Sequence, residues 1–277
     1  MAETADARPD TLTVAPDKPI VALRDVSKTF PNGVVALDGF DLAVRPGEFL
    51  SLLGPSGCGK STALRLIAGL SAPSSGTITW ASEAGMRTRA KRAGAASAIG
   101  FVFQEPTLMP WATVFGNVQL PLRLAGVSAG KARPQVMETL VRVGLADFAQ
   151  VYPRELSGGM RMRVSIARAL VTQPKLLLMD EPFAALDEIT RFKLNDDLLA
   201  LWQSLGKTVV FVTHSVFESV YLSSRIVVMT PRPGRVHADL AVDAVYPRDQ
   251  SFRTSAQYAG FCRLASEALA RAMGEGA

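Results

Sequence analysis

Only two cysteines, Cys58 and Cys262, occur in 277 residues. Two thiols do not make a disulfide framework, and such a chain suits a reducing compartment. Long hydrophobic runs are also missing. The strongest, "KLLLMD", "VVFVT" and "RIVVM", are strand-length, well short of the roughly 20 residues that cross a bilayer. Any membrane role must therefore come through a partner. The opening "MAETADARPDTLTVAPDK" lacks the cationic start and apolar centre of a signal peptide, so a polar tail is expected over 1–19. No internal repeat or low-complexity segment is present. Charge of one sign is not strongly in excess either. A net +5 is compatible with nucleic acid, nucleotide or an anionic membrane surface and selects none of them. What the chain does have is a 48% hydrophobic content, enough for one large domain with a substantial core.

The order of apolar patterns gives the organisation. Segments 20–30 and 39–44 alternate apolar and polar residues, as strands of a half-exposed antiparallel sheet do. "EFLSLLG" is a short continuous apolar run that ends in a glycine loop, and "STALRLIAGL" follows at helical spacing. "GTITW" and "AIGFVFQEP" are further strand candidates, separated by an Ala-, Arg- and Lys-rich stretch, Ser82 to Ser97, expected as a surface loop. From Val114 to Val143 the spacing is helical, with breaks expected near Pro121 and at "GVSAG". Helix is expected over 161–171, 191–205 and 216–223, with buried strands "PKLLLMDEP" and "KTVVFVTHS" between them. "SRIVVMTPRPGRV" predicts a strand pair joined by a Pro/Gly turn. Continuously apolar strands alternating with helices predict a parallel sheet covered on both faces. At the end, Tyr258, Phe261, Leu264, Ala265, Ala268 and Leu269 are expected on one docked helical face.

Five places in the sequence carry chemistry. "GPSGCGKST" runs Gly54, Pro55, Ser56, Gly57, Cys58, Gly59, Lys60, Ser61, Thr62. Placed after a strand and before a helix, it is a phosphate-binding loop: backbone N–H groups and the positive helix end hold phosphates. Lys60 is expected to reach the β- and γ-phosphates and Ser61 to bind Mg²⁺. Cys58 has two readings, a thiol acidified by the helix end or a small residue that simply fits. "LLLMDEP" ends a buried strand in Asp180 and Glu181, which point to opposite sides. Asp180 is expected to orient Mg²⁺ and Glu181 to polarise an attacking water. His214, after "KTVVFVT", either caps a strand or senses a γ-phosphate by hydrogen bonding. Gln104, after "IGFVF", either touches Mg²⁺ and the water or is a plain polar end. Phe30, at the end of the first strand, either stacks on adenine or fills core.

A second glycine loop, "LSGGMRMRVSIARAL" from Leu156, has no obvious use beside the first. Taken in order, "GPSGCGKST", "FQEP", "LSGG", "LLLMDEP", "ALD" and "VTH" resemble the ATP-binding subunit of ABC transporters over roughly 20–234. The resemblance implies a RecA-like P-loop NTPase, an α/β fold with a mainly parallel sheet. It adds an N-terminal antiparallel β subdomain and an inserted helical subdomain over about 105–170, and leaves 235–277 as an extension. It further implies that Ser157, Gly158 and Gly159 face the γ-phosphate of ATP held by a second ATPase subunit. Asp187 would lie at the same interface and link the two sites. The implied dimer is isologous and head to tail, with ATP and Mg²⁺ as cofactors.

"FQEPTLMPWATVFGNV", "MDEPFAALDEITR" and "VMTPRPGRV" resemble the importer branch for nitrate, sulfonates, taurine and similar solutes. That implies two transmembrane permease subunits, an indirect solute-binding protein and a place on the cytoplasmic face of the inner membrane. Leu108, Met109, Pro110 and Trp111 would line a groove for the permease's coupling helix. No nucleic-acid partner is expected, because the long coiled coil of DNA-maintenance relatives and the second cassette of translation-associated ones are not in this sequence. A P-loop kinase or GTPase would not need "LSGG" or His214. Met160 follows "LSGG" where Gln is common, Ala184 stands where Gly is common, and Ser215 follows His214 where an acid is usual.

Overall fold

The computed structural model describes residues 18–81 and 99–274. The polar tail expected over 1–19 lies outside them apart from its last two residues, and the Ser82 to Ser97 stretch lies wholly outside.

A three-stranded antiparallel sheet comes first: β1 (Val21–Thr29), β2 (Val35–Val44) and β4 (Ser75–Trp80), ordered β2-β1-β4. Its alternation is clean in β2, where Phe40, Leu42 and Val44 are buried and Asp41 and Ala43 exposed. One face therefore packs inward and the other is wet. The second sheet orders its strands β5-β6-β7-β3-β8-β9. These are β3 (Phe49–Leu53), β5 (Ile99–Val102), β6 (Leu176–Asp180), β7 (Thr208–Thr213), β8 (Arg225–Met229) and β9 (Val236–Ala241). All pairings are parallel except β8 with β9. Every residue of β3, β6 and β7 is buried, as expected of strands covered on both faces. Removing a side chain such as Leu52 from that centre would cost about 2–5 kcal/mol.

Helix α1 (Lys60–Ile67) follows β3 directly. Helices α2 (Val114–Leu124), α3 (Ala129–Arg142) and α4 (Gly158–Leu170) form the inserted lobe around Val118, Val136, Leu140 and Val164. Helix α4 joins this lobe to the main sheet. Val164, Ala167 and the following Val171 enter the lobe's core, while Met162, Ile166 and Leu170 enter the core under β6 and β7. The break expected at Pro121 does not occur: Pro121 lies inside α2. Burial of Val118 and Leu122 on either side holds the turn where proline removes a hydrogen bond. Pro134 is likewise accommodated inside α3.

Helices α5 (Glu188–Leu205) and α6 (Val216–Leu222) cover the sheet, and α7 (Gln250–Arg253) and α8 (Ala256–Gly274) close the chain. Of the apolar face expected on α8, Ala265 and Ala268 are buried and Tyr258, Phe261 and Leu269 pack against the same core, and only Leu264 needs correcting. Cys262, Ala265, Ala268 and Ala272 are buried, whereas Leu264 is 55% exposed. The small residues let α8 approach α6 and β8 closely, and Leu264 falls on the other side of that stripe. The stretch 235–277 also supplies β9, so part of it completes the large sheet.

Candidate functional site

Neighbouring parallel strands β6, β7 and β3 end at one edge of the sheet, the usual place for a ligand in an open α/β sheet. The loop after β3 turns into α1 through Gly59, which has φ +107°. A Cβ there would stand 2.6 Å from the Ala36 carbonyl oxygen, so glycine is required both by conformation and by space. The first turn of α1 carries no acidic side chain of its own, so the N–H groups of its positive end suit an anion.

Around this helix end the predicted residues converge. Lys60, almost fully buried, donates from Nζ to the carbonyls of Gly54 (2.8 Å) and Pro55 (2.9 Å). Its ammonium is 3.5 Å from Glu181 Oε1. His214 Nδ1 is 3.3 Å from Glu181 Oε2. Glu181 itself has φ +44°, a left-handed conformation that is strained for a non-glycine residue and typical of functional positions. It turns the side chain out of the line of β6 and into the space between Lys60 and His214. Beside it, Ser61 Oγ donates to Asp180 Oδ1 at 2.7 Å. Burial pushes the Asp180 carboxyl upward, with the Ser61 hydrogen bond opposing.

A cleft of about 170 Å³ is lined by Phe30, Ala36, Gly57, Lys60, Glu181 and Arg232, among others. Phe30 is half-exposed and lines this cleft rather than filling the core. Gln104 is exposed and is not among the cleft's lining residues. The segment just beyond it is anchored instead. Arg168 of α4 donates to the Pro106 and Thr107 carbonyls at 2.8 Å each, tying the Gln104 loop to the second glycine loop's helix. Cys58 is 1% exposed, and burial pushes its thiol up rather than down. Its side chain packs beneath the loop, which supports the reading of a small residue that fits.

Arg232 was not foreseen from sequence. It reaches from the β8–β9 turn to the Gly57 carbonyl, with nitrogen–oxygen distances of 3.1 and 3.2 Å. Gly234 lets that turn lie against the loop: a Cβ there would collide with the Cys58 carbonyl oxygen. The only sequence signal was a charged Pro-Arg-Pro-Gly turn, whose partner lies 175 residues away.

The second glycine loop stands apart from this cleft; Ser157, Gly158 and Gly159 do not line it. Ser157 is exposed and caps α4, accepting from the Met160 N–H at 3.3 Å. Met160 therefore serves this cap through its backbone N–H, which any residue other than proline supplies. The first turn of α4 carries no acid, so this helix also presents a bare positive end. A Cβ on Gly159 would stand 2.9 Å from Thr190 Cγ2, and one on Gly158 3.3 Å from Leu186. The glycines thus seat the loop against the start of α5. There Asp187, exposed, caps α5 by accepting from Thr190 N–H at 2.9 Å, which holds its carboxyl below the usual range. Ser215, in place of an acid, caps α6 by accepting from Glu218 N–H at 3.3 Å, and its own N–H donates to Thr213 Oγ1. Ser215 thereby fixes the chain next to His214.

Comparison with known proteins agrees with this layout. The family model described as "ABC transporter" matches residues 37–184. The chain is 44% identical to an aliphatic sulfonates import ATP-binding protein of Mesorhizobium japonicum, over 82% of this chain and 81% of that protein. It is 46% identical to a taurine import ATP-binding protein of Rhizobium johnstonii, over 76% and 78%. Among solved structures, a dimeric bacterial ABC transporter cassette superposes with TM-score 0.68 at 34% identity, covering 81% of this chain and all of that one. The same cassette has been solved after hydrolysis, bound to ADP and phosphate. A phosphate loop, an acidic strand end and a strand-end histidine converge on one sheet edge while a glycine loop stands apart; the chain belongs to the ABC transporter family, as an ATP-binding subunit.

Proposed function

We propose that this subunit hydrolyses ATP to drive import of a small anionic solute such as a sulfonate, taurine or nitrate. The observation that carries the ATPase chemistry is the Glu181 carboxylate, held between Lys60 at 3.5 Å and His214 at 3.3 Å. In this reading the phosphate loop, residues 54–62, and the end of α1 bind the phosphates, and Phe30 stacks on the adenine. Glu181 takes a proton from water as its oxygen attacks the γ-phosphorus, and the bond to the bridging oxygen of ADP breaks. His214 orients Glu181 and contacts the γ-phosphate.

The residues present suit Mg²⁺. Ser61 and Asp180 put a hydroxyl and a carboxylate, both hard oxygen donors, side by side. Among the described residues no cluster of three or more His, Cys, Asp or Glu forms a complete protein cage. Mg²⁺ typically takes one or two protein oxygens and completes its shell with phosphates and water. When bound it would neutralise charge developing on the phosphates. Gln104 is assigned to the same metal or to the water, reached by movement of its exposed loop.

Ser157, Gly158 and Gly159 close on ATP held by the opposite subunit, with Asp187 linking the two sites. Two permease subunits dock on the pair, one on the inserted lobe of each ATPase subunit. Asn117, fully buried, supports this by gathering the Met109, Ala112 and Thr113 carbonyls, leaving Trp111 77% exposed beside them. The solute-binding protein acts through the permease, so the subunit works at the cytoplasmic face. The importer branch is supported by relatives named for sulfonate and taurine import. Co-expression with its permease and reconstitution test it: ATP turnover should rise with binding protein and a sulfonate. Turnover indifferent to the permease would refute the transport reading.

A further inference from the structure

Helix α5 begins at the Asp187 cap and α6 immediately after His214 and Ser215. Just past these two starts the protein exposes large apolar side chains. Ile189 is 82% exposed, Phe217 64% and Phe192 43%. Ile189 and Phe192 are three apart on α5 and share one face. Phe192 and Phe217 line the same recess of about 460 Å³ between α5, α6 and the C-terminal helices. Around them stand Glu188, Arg191, Gln250 and Arg253. An apolar centre with a charged rim is the anatomy of a protein interface, and isolating such side chains in water is unfavourable enough that clustered ones mark a contact.

The chemistry and the position identify the occupant. Asp187 is two residues from Ile189, and the head-to-tail reading puts Asp187 where the two nucleotide sites meet. Residues beside a two-fold axis meet their own copies. The permease, by contrast, is assigned to the Leu108–Trp111 edge of the inserted lobe, built on α2 and its preceding loop. We propose that Ile189, Phe192 and Phe217 pack against the same patch of a second copy of this chain, extending the ATP-dependent dimer interface beyond the nucleotide sites. The inference rests on the two-subunit reading above. Its consequence is that dimer closure buries apolar surface next to His214 and Asp187, so closure is linked to their positions without any added contact to ATP. Because α7 and α8 wall the same recess, with Tyr258 Oη donating to the Phe217 carbonyl at 3.0 Å, the C-terminal extension becomes a support for this contact.

The test uses the full chain carrying Glu181→Gln, which should trap the ATP-bound dimer, followed by analytical ultracentrifugation with and without ATP. Adding Ile189→Glu and Phe217→Glu should raise the dimer dissociation constant by about tenfold or more. Affinity for a fluorescent ATP analogue at monomeric concentrations should not change. Ile189→Ser with Phe217→Ser, a milder pair at exposed positions, should show the same trend with an unchanged melting temperature. The isologous arrangement is tested by rescue. A 1:1 mixture of the Glu pair and an Ile189→Lys/Phe217→Lys pair should dimerise more tightly than either alone. Dimerisation unaffected by the Glu and Ser pairs, or no rescue on mixing, overturns the patch proposal while leaving the two-subunit reading intact. If the Glu181→Gln chain stays monomeric with ATP, the two-subunit reading fails and the proposal with it.

Discussion

Replacing Glu181 with Gln isolates the proton-accepting role. The amide is nearly isosteric, so the positive φ of +44° and the 3.3 Å contact with His214 can persist. What is lost is a carboxylate able to accept a proton. General-base catalysis of this kind contributes about 10²–10⁴-fold, equivalent to about 3–5 kcal/mol of barrier. The turnover number should fall by that factor. ATP binding should not weaken, because the variant removes the anion facing Lys60 at 3.5 Å and leaves that ammonium freer for phosphate. The assay is steady-state phosphate release alongside equilibrium titration with a fluorescent ATP analogue. Multiple-turnover hydrolysis at the wild-type rate would refute the role given to Glu181. A large loss of ATP affinity would equally refute the geometry, since it would mean that Glu181 builds the binding site rather than acting on water.

Three other outcomes follow from particular contacts. Asp180 is held with its carboxyl pushed up by burial. Folding therefore favours its protonated form, and the ionised group costs stability as pH rises through the folded-state value. Asp180→Asn should lose activity yet melt at a higher temperature than the wild type, with a larger margin at pH 8 than at pH 4; a margin that grows toward low pH contradicts the sign. Cys58, buried and with its thiol pushed up, should resist iodoacetamide at pH 8 in the folded protein, and rapid labelling detected by mass spectrometry would contradict its placement. Gly234→Ala puts a Cβ into the Cys58 carbonyl. Such overpacking costs about 1–3 kcal/mol and should weaken ATP binding through the displaced Arg232 turn; an unchanged melting temperature and affinity would show that the turn does not brace the loop.

Much of the site was legible because its determinants are local. A strand, a glycine turn and a helix in succession define the phosphate loop, and Asp180 with Glu181 end a strand whose burial is plain from its composition. Their meeting then follows from parallel strands ending at one edge. Arg232 was not legible because its partner, the Gly57 carbonyl, is brought near only by the pairing of β8 with β9 and β3. The proline at 121 misled because local propensity was overridden by burial of Val118 and Leu122 in the lobe's core. On α8 only Leu264 departs from the expected face, because the close approach to α6 runs along the alanines and leaves it outside that stripe. The strain at Glu181 also has no sequence signal, since it depends on where β6 ends relative to Lys60 and His214.

The central claim is that each ATP is held by the phosphate loop of one subunit and closed over by Ser157, Gly158 and Gly159 of the other. Mixing two inactive variants measures this directly. Lys60→Ala removes the phosphate lysine, and Ser157→Arg blocks the second glycine loop; each should be nearly inactive alone, while Ser157→Arg still binds ATP. In a mixed dimer one site combines the intact Lys60 of one chain with the intact Ser157 of the other. Equal mixing should therefore restore up to about a quarter of wild-type ATP turnover, since half the dimers are mixed and each has one complete site of two. A mixture no more active than its components would contradict the account and place both loops on the same chain's ATP.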